Sequence, residues 1–347
     1  MDRKTRIAFL TMKKDREGQG VRSASLEDIS LVERLGKDKY EVSVNSKIHR
    51  ADIVHCLYVL PKFYFALKRH HPSVMMVHFL PDTLDGSISM PHGFLGLYKR
   101  YVMKFYSQAD ELVTVNPIYV DKLVQLGFSR EHATYIPNYV SPDEFKPLPI
   151  PQKVKVRREF KIPDEAFVAL AVGQTQPRKG LFDFITVAED NPDITFVWAG
   201  GFSFGHITAD YDEIKKALKN PPPNVRFLGI IPRAKMNELY NAANVLFFPS
   251  YDELFPMTIL EAANVNLPIL VRDLPLYDPI VGDKVLKAHG NEEFSDTLKK
   301  LKGDPALLAE CALHSSELAG EYTPEAVFSK WDRFYQRILV EYGKKHK

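Results

Sequence analysis

The sequence predicts an α/β protein made of two Rossmann-like, doubly wound domains that face each other across a cleft. Three observations carry this prediction. Short runs rich in Val, Ile and Phe recur along the chain, which is typical of strands buried on both faces of a parallel sheet. Helix-like segments separate these runs, and prolines punctuate the middle of the chain. At 347 residues, the chain is also too long for one ordinary hydrophobic core.

The alternation of strands and helices falls into two successive sets. The predicted strands are residues 7–10, 53–57, 74–77 and 111–115, followed by 167–172, 195–199, 225–227, 245–248 and 268–271. The predicted helices between them are residues 25–35, 119–126, 181–188, 214–218, 234–242 and 258–263. Each set fits one doubly wound sheet, in which ligands bind at the carboxyl ends of the strands.

The boundary between the two sets is marked by proline. Five prolines lie between residues 142 and 163, and proline interrupts both helices and sheet ladders. We place the linker near residues 142–152, with an N-terminal domain at residues 1–147 and a C-terminal domain at residues 148–323. The remaining segment, 324–347, carries apolar residues at helical spacing, so we expect an amphipathic helix that packs back onto the N-terminal domain.

Composition narrows the class of protein. The formal net charge is only +2, which argues against a dedicated nucleic-acid binder. Two distant cysteines, Cys56 and Cys311, have no metal-like spacing and indicate a reducing compartment rather than a disulfide scaffold. No apolar window is long enough for a membrane span or a secretory leader. We therefore expect a cytoplasmic protein that could at most sit on a membrane surface.

The strongest motif is a pair of glutamates around a predicted helix start. A strand ending at residue 248 runs into a loop with Glu253, then into a helix that we expect to begin at Pro256 and to contain Glu261. A helix N-terminus suits a phosphate, and the flanking carboxylates could each accept hydrogen bonds from a pair of adjacent hydroxyls. The alternative is a surface helix with two solvated glutamates. Without other motifs, the glutamate pair by itself favours this alternative.

A basic turn follows the first strand of the C-terminal set. Gly173 is followed by Arg178, Lys179 and Gly180, at the edge where open α/β sheets bind ligands. Fixed cations there could stabilise the negative charge that grows on a departing phosphate. Gly180 would allow close backbone approach at the start of the next helix. The alternative is an exposed basic turn.

Taken together, these motifs resemble glycosyltransferase family 4, the retaining enzymes of the GT-B fold. Glu253 and Glu261 match the family's E-x7-E signature, and Arg178-Lys179-Gly180 is similar to its phosphate-binding site. The resemblance implies that Glu261 binds the ribose hydroxyls, that Glu253 binds the transferred sugar, and that Arg178 and Lys179 hold the diphosphate. It further implies contacts with the nucleotide sugar from Gly20, Gly173, Leu228, Phe255, Pro256, Met257 and Thr258.

The N-terminal set adds weaker candidates. Residues 18–24 resemble the family's glycine-rich loop, although a flexible surface loop is nearly as compatible with a lone G-x-G. By the resemblance His78, at the end of a predicted strand, faces the transferred sugar and contributes to catalysis; the alternative is a buried, satisfied histidine. Asn116 and Asn138 look like family loop positions, and asparagine is also a routine turn residue.

No metal site is predicted. Residues 82–85 have the wrong spacing for a DxD pair, and residues 210–212 fall in a stretch that reads as a loop beside a helix. Enzymes of the GT-B fold usually use helix dipoles and basic side chains where others use a divalent cation. We therefore expect no obligatory metal or cofactor, with a UDP-sugar as the donor substrate.

Two stretches of the N-terminal half, residues 62–71 and 94–106, mix aromatic and basic residues on predicted helices. Such helices can lie in the headgroup layer of an anionic membrane, and they are equally compatible with core-facing helices that have a solvated basic edge. Residues 78–87 and the following helix resemble a branch of Gram-positive enzymes. That branch adds a second sugar, from UDP-galactose or UDP-glucose, to monoglucosyl-diacylglycerol and so makes a lipoteichoic-acid anchor.

The resemblance implies transfer of galactose or glucose to a membrane glycolipid, with anomeric retention, at the inner face of the cell membrane. We expect a same-face displacement in which the leaving phosphate takes the proton of the acceptor. One alternative is a soluble family 4 transferase that acts on a polysaccharide or glycoprotein. Another is a non-catalytic partner subunit that binds a nucleotide sugar.

Overall fold

The computed structural model describes residues 3–12, 20–81, 92–201 and 211–345, and places them in two six-stranded sheets. The first sheet contains β1 (Thr5–Leu10), β2 (Tyr40–Val44), β3 (Ile53–Cys56), β4 (Ser73–Val77), β5 (Glu111–Thr114) and β6 (Ala133–Tyr135). The second contains β7 (Val168–Val172), β8 (Thr195–Ala199), β9 (Val225–Gly229), β10 (Val245–Phe248), β11 (Ile269–Arg272) and β12 (Leu286–Ala288).

Helices connect the strands and cover both sheets. Those of the first half are α1 (Gly20–Leu35), α2 (Pro61–Arg69), α3 (His92–Tyr106) and α4 (Pro117–Gln125). The second half follows with α5 (Ile150–Glu159), α6 (Leu181–Glu189), α7 (Tyr211–Lys219), α8 (Arg233–Ala242), α9 (Met257–Asn264), α10 (Asp278–Val281), α11 (Asn291–Gly303), α12 (Pro305–Glu321) and α13 (Pro324–Lys345).

Both sheets are parallel and doubly wound. The order of the first is β2-β1-β3-β4-β5-β6, and the order of the second is β12-β11-β10-β7-β8-β9. In the second sheet the chain direction across the sheet reverses between β7 and β10, which pair at Ala169 with Val245 and at Leu170 with Leu246. The loops that follow these two strands therefore open into the crevice where such sheets bind ligands. The predicted α/β fold class is confirmed.

The last helix returns to the first sheet. Trp331 and Tyr335 of α13 are buried in one core with Phe9 of β1. The Tyr335 hydroxyl lies 2.9 Å from Nδ1 of His55, and the Tyr40 hydroxyl donates to Asp332 at 2.7 Å. Apolar burial and paired polar groups together hold α13 against β1, β2 and β3.

Three boundaries differ from the sequence-based expectations. Helix α9 begins at Met257. Pro256, which we expected to be the first helical residue, is instead the N-cap and has extended backbone. Residues 20–24 form the first turns of α1 rather than a loop, because Ala24 already faces the core with Ile29 and Val32. Helix α5 begins at Ile150, so the linker range overlaps its first residues.

None of the helices in these described ranges has both the length and the apolar character that crossing a bilayer requires.

Candidate active site

The turn after β7 carries the basic pair. Pro177–Lys179 form a short 3-10 helix that ends at Gly180, whose φ of 74° lies in the left-handed region. A Cβ at Gly180 would lie 2.4 Å from the carbonyl oxygen of Pro249, in the loop after β10. Only glycine accommodates both the backbone angle and this close approach. The glycine therefore brings the two loops of the sheet crevice into direct contact.

Arg178 and Lys179 both bind the loop after β10. Nη1 of Arg178 donates to the carbonyl oxygen of Asp252 at 2.7 Å, and the amide of Tyr251 donates back to the carbonyl oxygen of Arg178 at 2.9 Å. The Nζ of Lys179 donates to Oε1 of Glu253. Burial lowers the pKa of Lys179, and the adjacent Glu253 carboxylate acts in the opposite direction. The predicted cation and the predicted sugar-binding carboxylate are thus in contact.

Glu253 is almost fully buried and has a second partner. The hydroxyl of Ser250 donates to the same Oε1 at 2.9 Å. Burial also raises the pKa of the neighbouring Asp252, with Arg178 opposing that effect. A carboxylate held by a lysine and a serine in a water-poor crevice is fixed in orientation, so it can direct hydrogen bonds from a ligand's hydroxyls.

Helix α9 begins immediately after this loop. Its N-cap, Pro256, makes no side-chain cap hydrogen bond, so no capping side chain occupies the first amide groups of the helix. Phe255 and Met257 are buried, and Phe255 packs edge-on against Tyr322, whereas Thr258 is half-buried. Three of the four predicted contacts at this end, Phe255, Pro256 and Met257, therefore have buried side chains, so their backbone is the part that could reach a ligand.

Glu261 lies further along α9 and is held at both oxygens. Nη1 of Arg233 donates to Oε1 at 2.8 Å, and the hydroxyl of Tyr240 donates to Oε2 at 2.6 Å. Among the described residues, no hydrogen bond joins Glu261 to Glu253, Arg178 or Lys179. Three of the four predicted donor-site groups, Arg178, Lys179 and Glu253, therefore form one cluster in the loops after β7 and β10. The fourth, Glu261, lies apart from this cluster on α9.

Two residues of the first half face this loop: Asn116, the N-cap of α4, and Tyr119, within that helix. Asn116 is fully buried, and its amide donates at 3.0 Å to the carbonyl oxygens of Leu254 and of Leu276. Burial raises the pKa of Tyr119, and the carboxylates of Asp252 and Glu253 raise it further. The carboxyl end of the first sheet therefore faces the loop that carries Glu253.

His78 follows β4 at the same edge of the first sheet. Burial lowers its pKa to about 4, so the imidazole is neutral at pH 7. Its Nε2 is buried without a hydrogen-bond partner among the described residues. The Oδ1 of Asn138 is likewise buried and unpartnered within that part of the chain. A buried nitrogen of this kind is available to a ligand hydroxyl.

The remaining predicted positions are dispersed. Gly173 directly follows β7, and its carbonyl oxygen accepts a hydrogen bond from the indole of Trp198 at 3.1 Å. Leu228 is half-buried in β9, and Gly20 begins α1. Residues 18–19, 82–87 and Asp210 lie outside the described residues. Across the ranges that are described, no group of three or more His, Cys, Asp or Glu side chains could hold a metal ion.

Sequence reasoning missed the partners of these groups. Arg233 and Tyr240 are seven residues apart, two turns of α8, which is the spacing that puts two side chains on one helix face. Ser250 carries no comparable signal, although Glu253 is only three residues away. Asn116 was expected only as a loop position, because its partners are 138 and 160 residues away. The missed residues orient the predicted ones.

Comparison with known proteins identifies related sequences over nearly the whole chain. The pattern of the family described as Glycosyltransferase Family 4 matches residues 30–144, and that of Glycosyl transferases group 1 matches residues 152–314. The chain is 40% identical to the alpha-galactosylglucosyldiacylglycerol synthase of Streptococcus pneumoniae strain R6, over 96% of this chain and 90% of that enzyme. It is 26% identical to the processive diacylglycerol alpha-glucosyltransferase of Acholeplasma laidlawii, over 67% and 70% of the two chains.

Solved structures share the fold at lower identity. The Anabaena protein HepE, in complex with UDP and glucose, superposes with a TM-score of 0.75 at 17% identity and covers 96% of this chain and 100% of its own. The sucrose-phosphate synthase of Thermosynechococcus elongatus gives a TM-score of 0.78 at 15% identity, over 97% and 100%. With matched family patterns in both halves and a 40% identical relative along 96% of its length, the chain belongs to the family 4, group 1 glycosyltransferases.

Proposed function

We propose that the protein transfers a hexose from a UDP-sugar to a sugar hydroxyl of a glucosyl-diacylglycerol, with retention of anomeric configuration. The observation that carries this proposal is the contact between Lys179 and Glu253. It lies in the crevice between β7 and β10, where the chain direction across the second sheet reverses. We assign nucleotide-sugar binding to residues 148–323 and acceptor binding to residues 1–147. The identity with the Streptococcus pneumoniae synthase supports a glycolipid as the acceptor.

The proposed donor lies across the two loops and along α9. Lys179 and Arg178 hold the diphosphate, Glu253 binds the transferred sugar, and Glu261 binds the ribose hydroxyls. Three side-chain atoms after β7 support a polar ligand here, since they are buried without partners in the described ranges: Thr175 Oγ1, Gln176 Oε1 and Arg178 Nε. Arginine binds phosphate oxygens as a fork, and lysine as a compact point charge.

The chemistry is one displacement on a single face of the sugar. The bond between the anomeric carbon and the β-phosphate oxygen breaks, and the acceptor oxygen forms the new bond on the same side. The acceptor proton passes to the leaving phosphate oxygen, so the products are the glycoside and UDP. Arg178 and Lys179 act where negative charge grows, and neutral His78 donates or accepts a hydrogen bond at a hydroxyl of the sugar.

We propose UDP-galactose as the donor, since the 40% identical relative is named for a galactosyl-glucosyl product. A donor screen against purified monoglucosyl-diacylglycerol, with the product linkage determined, tests this. We expect galactose transfer, and transfer of glucose alone would replace the donor assignment. Glu253→Ala should abolish most turnover, whereas Glu261→Ala should chiefly weaken UDP binding. Near-wild-type kinetics for both variants would contradict the site assignment.

We further propose that α2 and α3 form a basic-aromatic face that docks on an anionic membrane. Phe65 of α2 is 58% exposed, between the exposed side chains of Lys62, Lys68 and Arg69. Lys62 and Arg69 lie on one side of α2 with Phe65, as the helical period requires. A bulky apolar side chain flanked by cations fits the boundary between lipid headgroups and acyl chains.

Helix α3 extends this face. Leu97 is 66% exposed and is followed at helical spacing by the exposed Arg100 and Lys104. The two helices are packed together, since the rings of Tyr64 and Phe105 lie 6.0 Å apart. Because both helices belong to the first half, docking through them would place the proposed acceptor domain against the lipid surface.

Vesicle flotation tests the docking. We compare the pair Lys68→Glu and Arg69→Glu with a control pair, Lys299→Glu and Lys300→Glu, in which two adjacent exposed lysines of α11 receive the same charge change. Each cation near an anionic surface contributes about 1 kcal/mol, so the α2 pair should lose binding to phosphatidylglycerol vesicles at least about tenfold. Equal binding by both variant pairs would contradict the proposed face.

A further inference from the structure

One guanidinium joins the proposed ribose carboxylate to the other half of the molecule. Arg233, the first residue of α8, donates through Nη1 to Glu261 at 2.8 Å and through Nη2 to Glu27 of α1. Its Nε contacts the half-exposed Glu144 at 3.2 Å. The face of the guanidinium lies over the ring of Phe145, 5.1 Å from the centroid. Arg233 thus bridges the two sheets at the cleft.

Arg233 and Tyr240 orient Glu261 without exhausting it. Each takes one of the two carboxylate oxygens, and both project from the same face of α8. Every carboxylate oxygen has a second lone pair, so Glu261 can still accept hydrogen bonds from two adjacent ligand hydroxyls. The arrangement fixes a nearly buried carboxylate in one orientation before a ligand arrives.

Glu27 depends on Arg233 more than a surface carboxylate would. Burial raises the pKa of Glu27, whereas the Arg233 guanidinium lowers it and so favours the ionised carboxylate that it contacts; the nearby Glu261 raises it. Its Oε2 is buried without a hydrogen-bond partner in the part of the chain that the structure describes. Its backbone carbonyl is fixed by the hydroxyl of Tyr139 at 2.9 Å. A carboxylate in this position is stabilised only when the second half presents its cation.

We propose that Arg233 is the positioning residue for Glu261 and that the Glu27–Arg233 pair couples occupation of the nucleotide site to closure of the cleft. The inference rests on the proposed function, in which Glu261 binds the ribose. Ribose binding and closure both favour the same Arg233 geometry, so each equilibrium strengthens the other. Without Glu27, closure loses a contact that forms only across the cleft, and the nucleotide binds a more open protein.

The test compares Glu27→Gln with Glu238→Gln. Glu238 offers the same charge change on α8, where its only ion-pair partner among the described residues is Lys235. Coupling between two sites is commonly worth about fivefold to 150-fold in affinity, so we expect Glu27→Gln to raise the KM for the UDP-sugar roughly tenfold. The kcat should change less, because the groups at the reacting bond are intact. Glu238→Gln should stay within about twofold of wild type.

Closure is read directly by fluorescence transfer between dyes on cysteines introduced at the exposed positions Asp38 and Lys299. The native thiols, Cys56 and Cys311, are buried and do not compete for the label. Addition of UDP should change the transfer efficiency in the wild-type background and in Glu238→Gln, and should change it much less in Glu27→Gln. Arg233→Lys, which retains the charge but not the fork, should fall between them in both KM and transfer.

The outcomes separate this inference from the proposed function. If Glu27→Gln and Glu238→Gln behave alike in KM and in the UDP-dependent transfer, the coupling is wrong, even where Glu261→Gln still loses UDP binding. If Glu261→Gln binds UDP as well as wild type does, the assigned nucleotide site is wrong. Calorimetric titration with UDP alone measures the UDP affinity of Glu261→Gln without turnover.

Discussion

Lys179 and Glu253 form a pair whose structural and chemical roles can be separated by a double-mutant cycle. Their side chains are only 15% and 11% exposed, and Nζ donates to Oε1. Lys179→Met leaves a buried carboxylate with Ser250 as its only hydrogen-bond partner among the described residues, and Glu253→Gln leaves a buried ammonium. Removing one partner of a buried pair typically costs about 3–5 kcal/mol of folding free energy. Removing both charges costs far less, because neither group is then left unpaired.

The assay measures the free energy of unfolding in urea and the rate of sugar transfer for the wild type, both single variants and the double variant. We expect the double variant to regain stability to within about 1–2 kcal/mol of wild type. Its transfer rate should stay depressed by about 10²- to 10³-fold, since two of the four groups assigned to the donor, Lys179 and Glu253, are gone. Additive stability losses would contradict the ion pair, and recovery of turnover together with stability would contradict the chemical role.

Three further changes test the surroundings of the site. Gly180→Ala places a Cβ 2.4 Å from the carbonyl oxygen of Pro249 at a φ of 74° and should lower the free energy of unfolding by at least about 1–2 kcal/mol, measured in urea; an unchanged midpoint would contradict the close approach. Asp28 is buried and its pKa is raised to about 7 from 3.8, so the folded state disfavours the ionised form and stability falls as the pH rises through this interval. Relative to wild type, the free energy of unfolding of Asp28→Asn should therefore rise by at most about 4 kcal/mol between about pH 4 and about pH 8. Parallel pH profiles of stability for the two proteins would refute this prediction. Arg272 donates to the Pro249 carbonyl oxygen at 3.1 Å and lies 3.8 Å from the centroid of the Tyr251 ring, so Arg272→Lys, which lacks the planar fork, should lower kcat for sugar transfer several-fold, whereas wild-type kinetics would show that this contact does not position the loop.

The sheets were largely predictable because most of their strands are buried on both faces. The three strands that the sequence reading missed, β2, β6 and β12, all lie at the edges of their sheets. β2 is half exposed and carries Glu41 and Ser43 between apolar residues, so it lacks the continuous apolar run of an interior strand. Edge position weakens the apolar pattern in these three strands, whereas the fourth edge strand, β9, was predicted from residues 225–227.

The features of the site that depend on nearby residues could be predicted from the sequence, whereas the pairings between distant residues could not. The spacing of Glu253 and Glu261 and the basic turn at Arg178 were visible, because Glu253 and Arg178 follow predicted strands closely and Glu261 lies on the next helix. The pairing of Lys179 with Glu253 spans 74 residues of sequence, and that of Arg233 with Glu27 spans 206. A charge whose partner is so distant looks like a solvated surface residue, so Arg233 could be recognised only once the two halves were placed together.

The central claim is that one nucleotide diphosphate lies between the basic turn and Glu261. A crystal structure of the protein with UDP tests it most directly. The account predicts diphosphate oxygens within hydrogen-bond distance of Lys179 Nζ and the Arg178 guanidinium, with the ribose hydroxyls on Glu261. UDP bound elsewhere, or bound in this cleft with those side chains turned away from it, would contradict the account.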